Sequence, residues 1–203
     1  MFKIVLVLVI SLSFGMANDT KRLQDLEQFL NTLPQKTIIE KLNSVNFYFN
    51  QIVSAYDSLD NINHDEWNSM IDFILKGRGD CEEYAISKYK ALKLTGIDTN
   101  KLFLMVVKEK TRPQNEFHLV TAYYENDENP LILDNLSFRV LPLIKRSDLE
   151  PIMIFDTNNT FTVTKSGKID KITMSNFPQK LKLLEEQTKL QFNQYNISTN
   201  IHN

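Results

Sequence analysis

The chain has one cysteine, Cys81, which follows the glycine-containing segment 77–79 and opens a stretch with helical spacing. At the first turn of a helix, unpaired backbone N–H groups and the positive end of the helix dipole favour a thiolate. The same N–H groups can receive the negative charge that develops on a carbonyl oxygen under attack. Cys81 is therefore a candidate nucleophile, and a buried, inert cysteine is the alternative.

A thiol nucleophile needs a base, and the chain has three histidines. His64 falls in a loop-like segment and His202 in a polar C-terminal tail, which leaves His118 as the candidate. His118 alternates with Phe117 and Leu119 in a run typical of a β-strand. Taken alone, a histidine in an apolar strand is more often a core residue than a base.

Asp134 strengthens the case for His118. The midpoint between the two residues is Asn126, which falls in a polar stretch typical of a turn. A hairpin symmetric about Asn126 would make the two side chains cross-strand neighbours within hydrogen-bonding distance. Asp134 would then fix the imidazole tautomer for the thiol. An aspartate that caps a turn at the strand end is the alternative.

Carboxylates surround the candidate nucleophile, at Asp80, Glu82 and Glu83. Ca²⁺ prefers several oxygen ligands at about 2.3–2.6 Å, so this cluster could bind calcium. The alternative is a capping box, with Asp80 as N-cap and Glu83 three residues further on. Residue chemistry alone favours the capping box.

The elements that must position these residues follow from hydrophobic periodicity. Helices are predicted over 19–33, 37–56, 67–77, 80–96 and 178–192. Strands are predicted over 101–107, 117–124, 130–136, 138–143, 152–156 and 160–164. Helices followed by an antiparallel meander indicate an α+β domain.

The N-terminal residues are typical of a signal peptide. Lys3 precedes an apolar run, Ile4 to Phe14, and the small residues Gly15 and Ala17 fit a cleavage site after Ala17. A run of eleven residues is too short to cross a membrane core of about 30 Å as a helix, although an uncleaved anchor is the alternative. We therefore predict a signal peptide over 1–17, one exported domain over 18–192, and a polar, disordered tail over 193–203.

Charge and cysteine content narrow the functional classes. The net charge is −2, and no concentrated basic patch is visible, which argues against a nucleic-acid partner. An exported chain with a single thiol cannot form an internal disulfide. A free thiol is readily oxidised in an oxidising compartment, so the presence of Cys81 in an exported chain favours a chemical role for it.

The segment Gly79-Asp80-Cys81-Glu82-Glu83-Tyr84-Ala85, followed by His118 and by Asp134 in Leu-Asp-Asn, resembles the bacterial transglutaminase-like cysteine peptidases, specifically the LapG-type periplasmic proteases. The similarity extends over 41–50, 67–75, 118–124 and the aromatic hairpin near Phe155, and so covers most of the mature chain. It implies a papain-like, transglutaminase-like fold in which N-terminal helices pack on an antiparallel sheet. It also implies Cys81 as nucleophile, His118 as base and Asp134 as the residue that orients the base.

The resemblance implies a function as well. Such proteases are calcium-dependent, reside in the periplasm, and cut the N-terminal region of a very large surface adhesin near paired alanines, which disperses a biofilm. An inner-membrane receptor that senses cyclic di-GMP holds them inactive. The resemblance favours Asp80 and Glu82 as calcium ligands, whereas Glu83 departs from the aspartate common in the family and is left out. By analogy with papain-like enzymes, Asn46 is a candidate second oxyanion donor, with an ordinary polar edge residue as the alternative.

Two other functions share parts of this pattern. Acyl transfer to an amine uses the same thioester, so the triad does not separate it from hydrolysis. A non-catalytic protein-binding scaffold would be expected to lack a triad member, and none is missing. The resemblance places hydrolysis first.

Overall fold

The computed structural model describes residues 18–55, 67–111 and 117–199. The predicted signal peptide, His64 and His202 lie outside the described residues. The helices are α1 (18–32), α2 (Ile38–Phe49), α3 (Met70–Lys76), α4 (Cys81–Leu94) and α5 (Phe177–Gln194). The strands are β1 (Val53–Ser54), β2 (Arg78–Gly79), β3 (Leu102–Glu109), β4 (Phe117–Tyr123), β5 (Leu131–Asp134), β6 (Ser137–Pro142), β7 (Leu149–Phe155), β8 (Thr160–Val163) and β9 (Ile169–Thr173). None of the described helices is both long and apolar enough to cross a membrane.

Strands β3 to β9 form one antiparallel sheet in the order β6-β5-β4-β3-β7-β8-β9. The predicted α+β class is therefore confirmed. The edge strand β9 escaped prediction because its residues are exposed or only partly buried, so its sequence lacks the apolar signal of a core strand. The pair of β1 and β2, which is parallel and two residues long, is too short to leave a pattern.

The core lies on both faces of the sheet because successive strand residues point to opposite sides. Leu102 and Leu104 pack with the helices in one cluster, whereas Phe103 and Met105 belong to a second cluster. Helix α4 packs against β3, β4 and β5. The N-terminus of α4 is thereby held beside the start of β4. The candidate nucleophile lies on the first of these segments and the candidate base on the second.

The helix boundaries differ from the predicted ones where short local contacts decide them. Helix α2 ends at Phe49 rather than near 56, because Val53 and Ser54 pair with β2 and Ala55 N–H donates to the Gly79 carbonyl over 2.8 Å. Helix α3 begins at Met70 because the Ser69 side chain caps it. These contacts tie the end of α2 to the segment that leads to Cys81.

The predicted disordered tail is corrected over its described part, 193–199. The last turn of α5 reaches Gln194, and the side chain of Ile197 is buried in the core. Ser198 N–H donates to Glu27 Oε1 over 2.8 Å, which binds the tail to α1. The polar composition of residues 193–203 gave no sign that the single apolar side chain of Ile197 packs this segment against the domain.

Lys88 on α4 offers a first prediction about stability. Its side chain is fully buried, and Nζ has no hydrogen-bond partner among the residues that the structure describes. Burial lowers the pKa of Lys88 to about 7, against an opposing effect of the Asp134 charge. Between about pH 7 and 10.5 the unfolded chain therefore binds more protons than the folded one, so the free energy of unfolding rises with pH over this range. The destabilising effect of Lys88 is complete below about pH 7 and decreases progressively above it.

We expect Lys88→Met to raise the free energy of unfolding at pH 7 by a few kcal/mol and to remove this pH dependence. Urea denaturation of parent and variant at several pH values between 6 and 9 measures both effects. Stability curves that run parallel over this range, with no gain in the variant, would show that the buried amine carries no such cost.

Candidate active site

Cys81 is the first residue of α4, and the predicted capping box around it is confirmed. Asp80 is the N-cap, and its N–H donates to Glu83 Oε2 over 3.1 Å. Glu82 N–H donates to Asp80 Oδ1 over 3.3 Å. Glu83 Oε1 also accepts from the backbone and side-chain amides of Asn68, at 3.0 and 2.9 Å. Both Glu83 oxygens are therefore used in fixing the start of the helix.

Gly79 allows the chain to enter this helix start. A Cβ atom at Gly79 would lie 2.7 Å from Phe73 Cε2, closer than two carbon atoms can pack. The preceding Gly77 ends α3 with φ of 65°, in the left-handed region that favours glycine. The two glycines let the backbone turn sharply between α3 and α4, so that Cys81 follows directly after the turn.

The Cys81 thiol lies against Glu82 rather than against a base. It is partly buried, and Sγ donates to Glu82 Oε2 over 2.8 Å. Burial raises the pKa of Cys81, as does the charge of Glu82, while the Leu119 backbone opposes the shift. In this arrangement burial and a neighbouring carboxylate therefore act against the thiolate that the helix start favours.

His118 and Asp134 meet as the sequence predicts. His118 Nε2 lies 2.8 Å from Asp134 Oδ1, and both side chains are buried. Burial alone would raise the pKa of Asp134, but the hydrogen bond with His118 and the charges of His118 and Arg146 hold it well below its usual range. An ionised carboxylate only accepts hydrogen bonds, so Nε2 donates to Asp134, and Nδ1 is the nitrogen that can take up the thiol proton whenever the ring is neutral.

The register of the hairpin differs from the predicted one by two residues. The observed pairs are Thr121 with Leu133, Ala122 with Ile132, and Tyr123 with Leu131. The hairpin is therefore centred on Asp127 rather than on Asn126, and His118 and Asp134 are diagonal instead of directly opposite. A shift of two residues preserves the face on which each side chain lies, and diagonal neighbours remain within reach of long side chains.

The candidate nucleophile and the candidate base border one region. The Leu119 backbone interacts with the Cys81 thiol, and Leu119 is adjacent to His118. Glu82 and His118 both line one apolar cleft of about 330 Å³. In the described part of the chain, the thiol has no hydrogen bond to the imidazole, so the Cys81 side chain must turn away from Glu82 before Nδ1 can take its proton.

The walls of this cleft are mainly aromatic and aliphatic. Trp67 stacks against Phe155 and Phe177, with ring centroids 6.1 and 5.7 Å apart. The remaining lining residues are Glu82, Val106, Phe117, His118, Leu119, Ile152 and Met153. A cleft with an apolar lining and two polar side chains, Glu82 and His118, suits the side chains of a bound peptide.

Asn46 does not have the position predicted for an oxyanion donor. Its side chain is fully buried, and Nδ2 donates to the Ser137 carbonyl over 2.8 Å. Asn50 Nδ2 donates to the same carbonyl over 3.0 Å and to the Asp134 carbonyl over 2.8 Å. This geometry corrects the prediction. Both asparagines anchor the turn between β5 and β6, and the Asn46 amide donates to a backbone carbonyl rather than to an oxyanion.

Asp80 and Glu82 fit a cation site. The ligand atoms of Asp80, Cys81 and Glu82 all lie within 4.8 Å of one another. Burial raises the pKa of Asp80 to about 6, helped by the nearby Glu82 carboxylate and opposed by a hydrogen bond with Glu83. Carboxylate oxygens placed this close together are hard donors of the kind that Ca²⁺ prefers. Capping and metal binding are compatible here, because the cap uses Glu83 and a single oxygen of Asp80, Oδ1.

Sequence reasoning missed Arg146, which binds the second oxygen of Asp134. Arg146 Nη2 lies 2.6 Å from Asp134 Oδ2. Arg146 belongs to the connection between β6 and β7, where two adjacent basic residues, Lys145 and Arg146, are typical of solvated surface. No spacing rule relates such a residue to a strand-end aspartate, so this contact becomes visible only in the fold.

Asp134→Asn is expected to reduce turnover by about 10³- to 10⁴-fold, because the amide favours the wrong imidazole tautomer. The fold should persist, since Asp148 still pairs with Arg146. Steady-state rates and melting curves of the variant measure the two effects, with the exposed Asp127→Asn as a matched control. Parental turnover in Asp134→Asn would show that Asp134 is only structural.

A thiol at a helix start beside a strand-borne histidine and aspartate, in an α+β fold of this topology, defines a cysteine peptidase of the transglutaminase-like type. The family model of the bacterial transglutaminase-like cysteine proteinases, BTLCP, matches residues 14–159, and the chain belongs to this family.

Solved structures agree with this assignment. Calcium-bound Legionella pneumophila LapG is 27% identical, with a TM-score of 0.69 over 83% of this chain and 98% of that chain. The EGTA-treated form of the same protein is 27% identical, with a TM-score of 0.68 over 83% of this chain and 96% of that chain. Comparison with curated proteins gives no match.

Proposed function

We propose that the chain is a calcium-dependent periplasmic endopeptidase that cuts the N-terminal region of a large surface adhesin and so controls biofilm release. The observation that carries the catalytic part is the buried hydrogen bond of 2.8 Å between His118 and Asp134, beside the helix start that bears Cys81. The adhesin and the periplasmic location are supported by the resemblance to LapG-type proteases and by the signal-peptide pattern of residues 1–17.

The proposed reaction uses the three residues in turn. His118 Nδ1 takes the thiol proton as the sulfur of Cys81 attacks the scissile carbonyl carbon, and backbone N–H groups at the start of α4 stabilise the oxyanion. The imidazolium gives its proton to the leaving amine as the C–N bond breaks, which leaves a thioester on Cys81. His118 then deprotonates a water molecule that hydrolyses the thioester and restores the thiol.

Asp80 and Glu82 are the residues that we propose to hold the calcium ion. When bound, Ca²⁺ supplies positive charge beside the thiol and fixes the carboxylates that flank it. This proposal is supported by the raised pKa of Asp80, by the short separation of the donor atoms, and by the calcium-bound structure of the similar Legionella protein. Glu83 is excluded because both of its oxygens are occupied.

The proposed regulator is an inner-membrane receptor that senses cyclic di-GMP and sequesters the protease. Its support is the family resemblance alone. Co-purification of the mature chain with a full-length receptor encoded nearby, with and without cyclic di-GMP, tests this partner. Binding that does not respond to the nucleotide would contradict the proposed regulation.

The function is tested by incubating the mature protein with the N-terminal region of a giant adhesin encoded beside it. We expect one discrete cut in the presence of calcium, and none with chelator or with Cys81→Ala. An intact adhesin region after incubation with the calcium-loaded parent would overturn the proposed substrate.

A further inference from the structure

Arg146 joins the proposed triad to a further acidic residue. Arg146 Nη2 lies 2.6 Å from both Asp134 Oδ2 and Asp148 Oδ2, and Arg146 Nε lies 3.0 Å from Asp148 Oδ1. Arg146 is 6% exposed and Asp134 is 1% exposed. His118, Asp134, Arg146 and Asp148 therefore form one continuous chain of charge-assisted hydrogen bonds. The first three side chains are buried, and Asp148, at the end of the chain, is partly exposed.

The two oxygens of Asp134 have separate partners. Oδ1 faces His118 Nε2 and also accepts from Leu136 N–H over 3.0 Å, whereas Oδ2 is bound by Arg146. A carboxylate held at both oxygens cannot rotate, so the direction of Oδ1 toward the imidazole depends on the guanidinium. Asp148, in turn, fixes the guanidinium through two of its nitrogens.

We propose that Arg146 is a positioning residue for catalysis, which holds Asp134 ionised and aimed at His118, with Asp148 as its anchor. This inference rests on the proposed function, because it requires the His118–Asp134 pair to serve as base and orienting group. The planar guanidinium can bridge two carboxylates at fixed angles, which the single ammonium group of a lysine cannot do.

The charges around Asp134 come from several elements. His118 faces it from β4, Arg146 and Asp148 from the connection before β7, and Lys88 interacts with it from α4. Burial and Asp148 favour the protonated form of Asp134, whereas His118, Arg146 and a charged Lys88 favour the carboxylate. Without Arg146, Asp134 should take up a proton at a higher pH and cease to accept the hydrogen bond from Nε2.

The test is the pH dependence of kcat/KM for adhesin cleavage between pH 5 and 9, in calcium. For Arg146→Gln we expect kcat to fall by about 10- to 100-fold near neutral pH with little change in KM, as for a small misplacement of a catalytic group. We also expect the loss in kcat/KM to deepen toward pH 5, because Asp134 without the guanidinium takes up a proton more readily. Arg146→Lys keeps the charge, so its acid limb should stay near the parental position while kcat is partly restored.

Asp148→Asn and Arg139→Gln complete the design. Asp148→Asn leaves the guanidinium in place but loosens it, so a smaller loss of kcat is expected. Arg139 is an exposed arginine on β6, and Arg139→Gln should behave as the parent. A parental profile in Arg146→Gln, or a loss that is equal at every pH and follows the melting temperature, overturns the proposal.

If Arg146→Gln fails to fold, Arg146→Lys decides. A loss of kcat of about 10-fold at parental KM supports the positioning role, and parental kcat overturns it. Failure of the proposed function has a different signature, because the parent would then not cleave or Cys81→Ala would remain active. Parental cleavage with an unaffected Arg146→Gln would remove this inference alone.

Discussion

Cys81→Ala is expected to lower the rate of adhesin cleavage by at least about 10⁴-fold, because no covalent thioester can form without the sulfur. The fold should be unaffected. The helix start is fixed by backbone and carboxylate contacts among Asp80, Glu82 and Glu83, none of which uses the thiol. Alanine is also the best helix former at this position.

The measurement is the cleavage rate over a wide range of enzyme concentration, together with far-ultraviolet circular dichroism and a melting curve. Cys81→Ser is the matched variant, since it keeps a hydrogen-bond donor of similar shape beside Glu82 but supplies a poor nucleophile. We expect it to be nearly as inactive as the alanine variant and equally stable. Substantial cleavage by either variant, with no parental contamination, would place the nucleophile elsewhere.

Removal of calcium is expected to have the second largest effect, a reversible loss of cleavage without unfolding. The physical reason lies in the contact between the thiol and Glu82, at 2.8 Å. With both carboxylates free, burial and the Glu82 charge raise the pKa of the thiol, and its hydrogen bond to Glu82 competes with one to His118. Chelator followed by excess calcium, with cleavage and circular dichroism followed in parallel, tests this expectation.

Adjacent carboxylates offer a sharp control for the metal site. Glu82→Gln should lose most activity and abolish the rise in melting temperature that calcium produces by binding the native state. Glu83→Gln should cost about 1 kcal/mol of stability at any calcium concentration, through the cap, and keep the calcium response. Asp80→Ala should show both defects. An unchanged calcium response in Glu82→Gln and Asp80→Ala would leave these carboxylates with a capping role only.

The start of α4 could be predicted because its signals are local. A glycine turn, an N-cap aspartate, a glutamate three residues on and a cysteine between them define both the helix boundary and the nucleophile. The pairing of β4 with β5 could be anticipated in the same way, since a turn signal lies between two apolar runs. The two-residue error in register left the site intact because the face was preserved.

The parts that escaped prediction depend on contacts between distant elements. Arg146 lies 12 residues after Asp134 along the chain, in a connection whose sequence reads as solvent-exposed. Asn46 lies on the buried face of α2, and only the fold shows that the turn before β6 uses its amide. The Cys81 pKa likewise depends on burial against β4, which a helical pattern does not reveal.

The most direct test of the proposed triad is covalent labelling by a peptide chloromethyl ketone that carries the residues on the N-terminal side of the mapped cleavage site. In calcium-loaded parent we expect one adduct, located on Cys81 by mass spectrometry. Its rate of formation should fall by at least about 10²-fold in His118→Ala and in Asp134→Asn, while iodoacetamide serves as the control for simple thiol access. Labelling at the parental rate in both variants, or an adduct elsewhere in a protein that still cleaves, would contradict the assignment of Cys81, His118 and Asp134 as the catalytic residues.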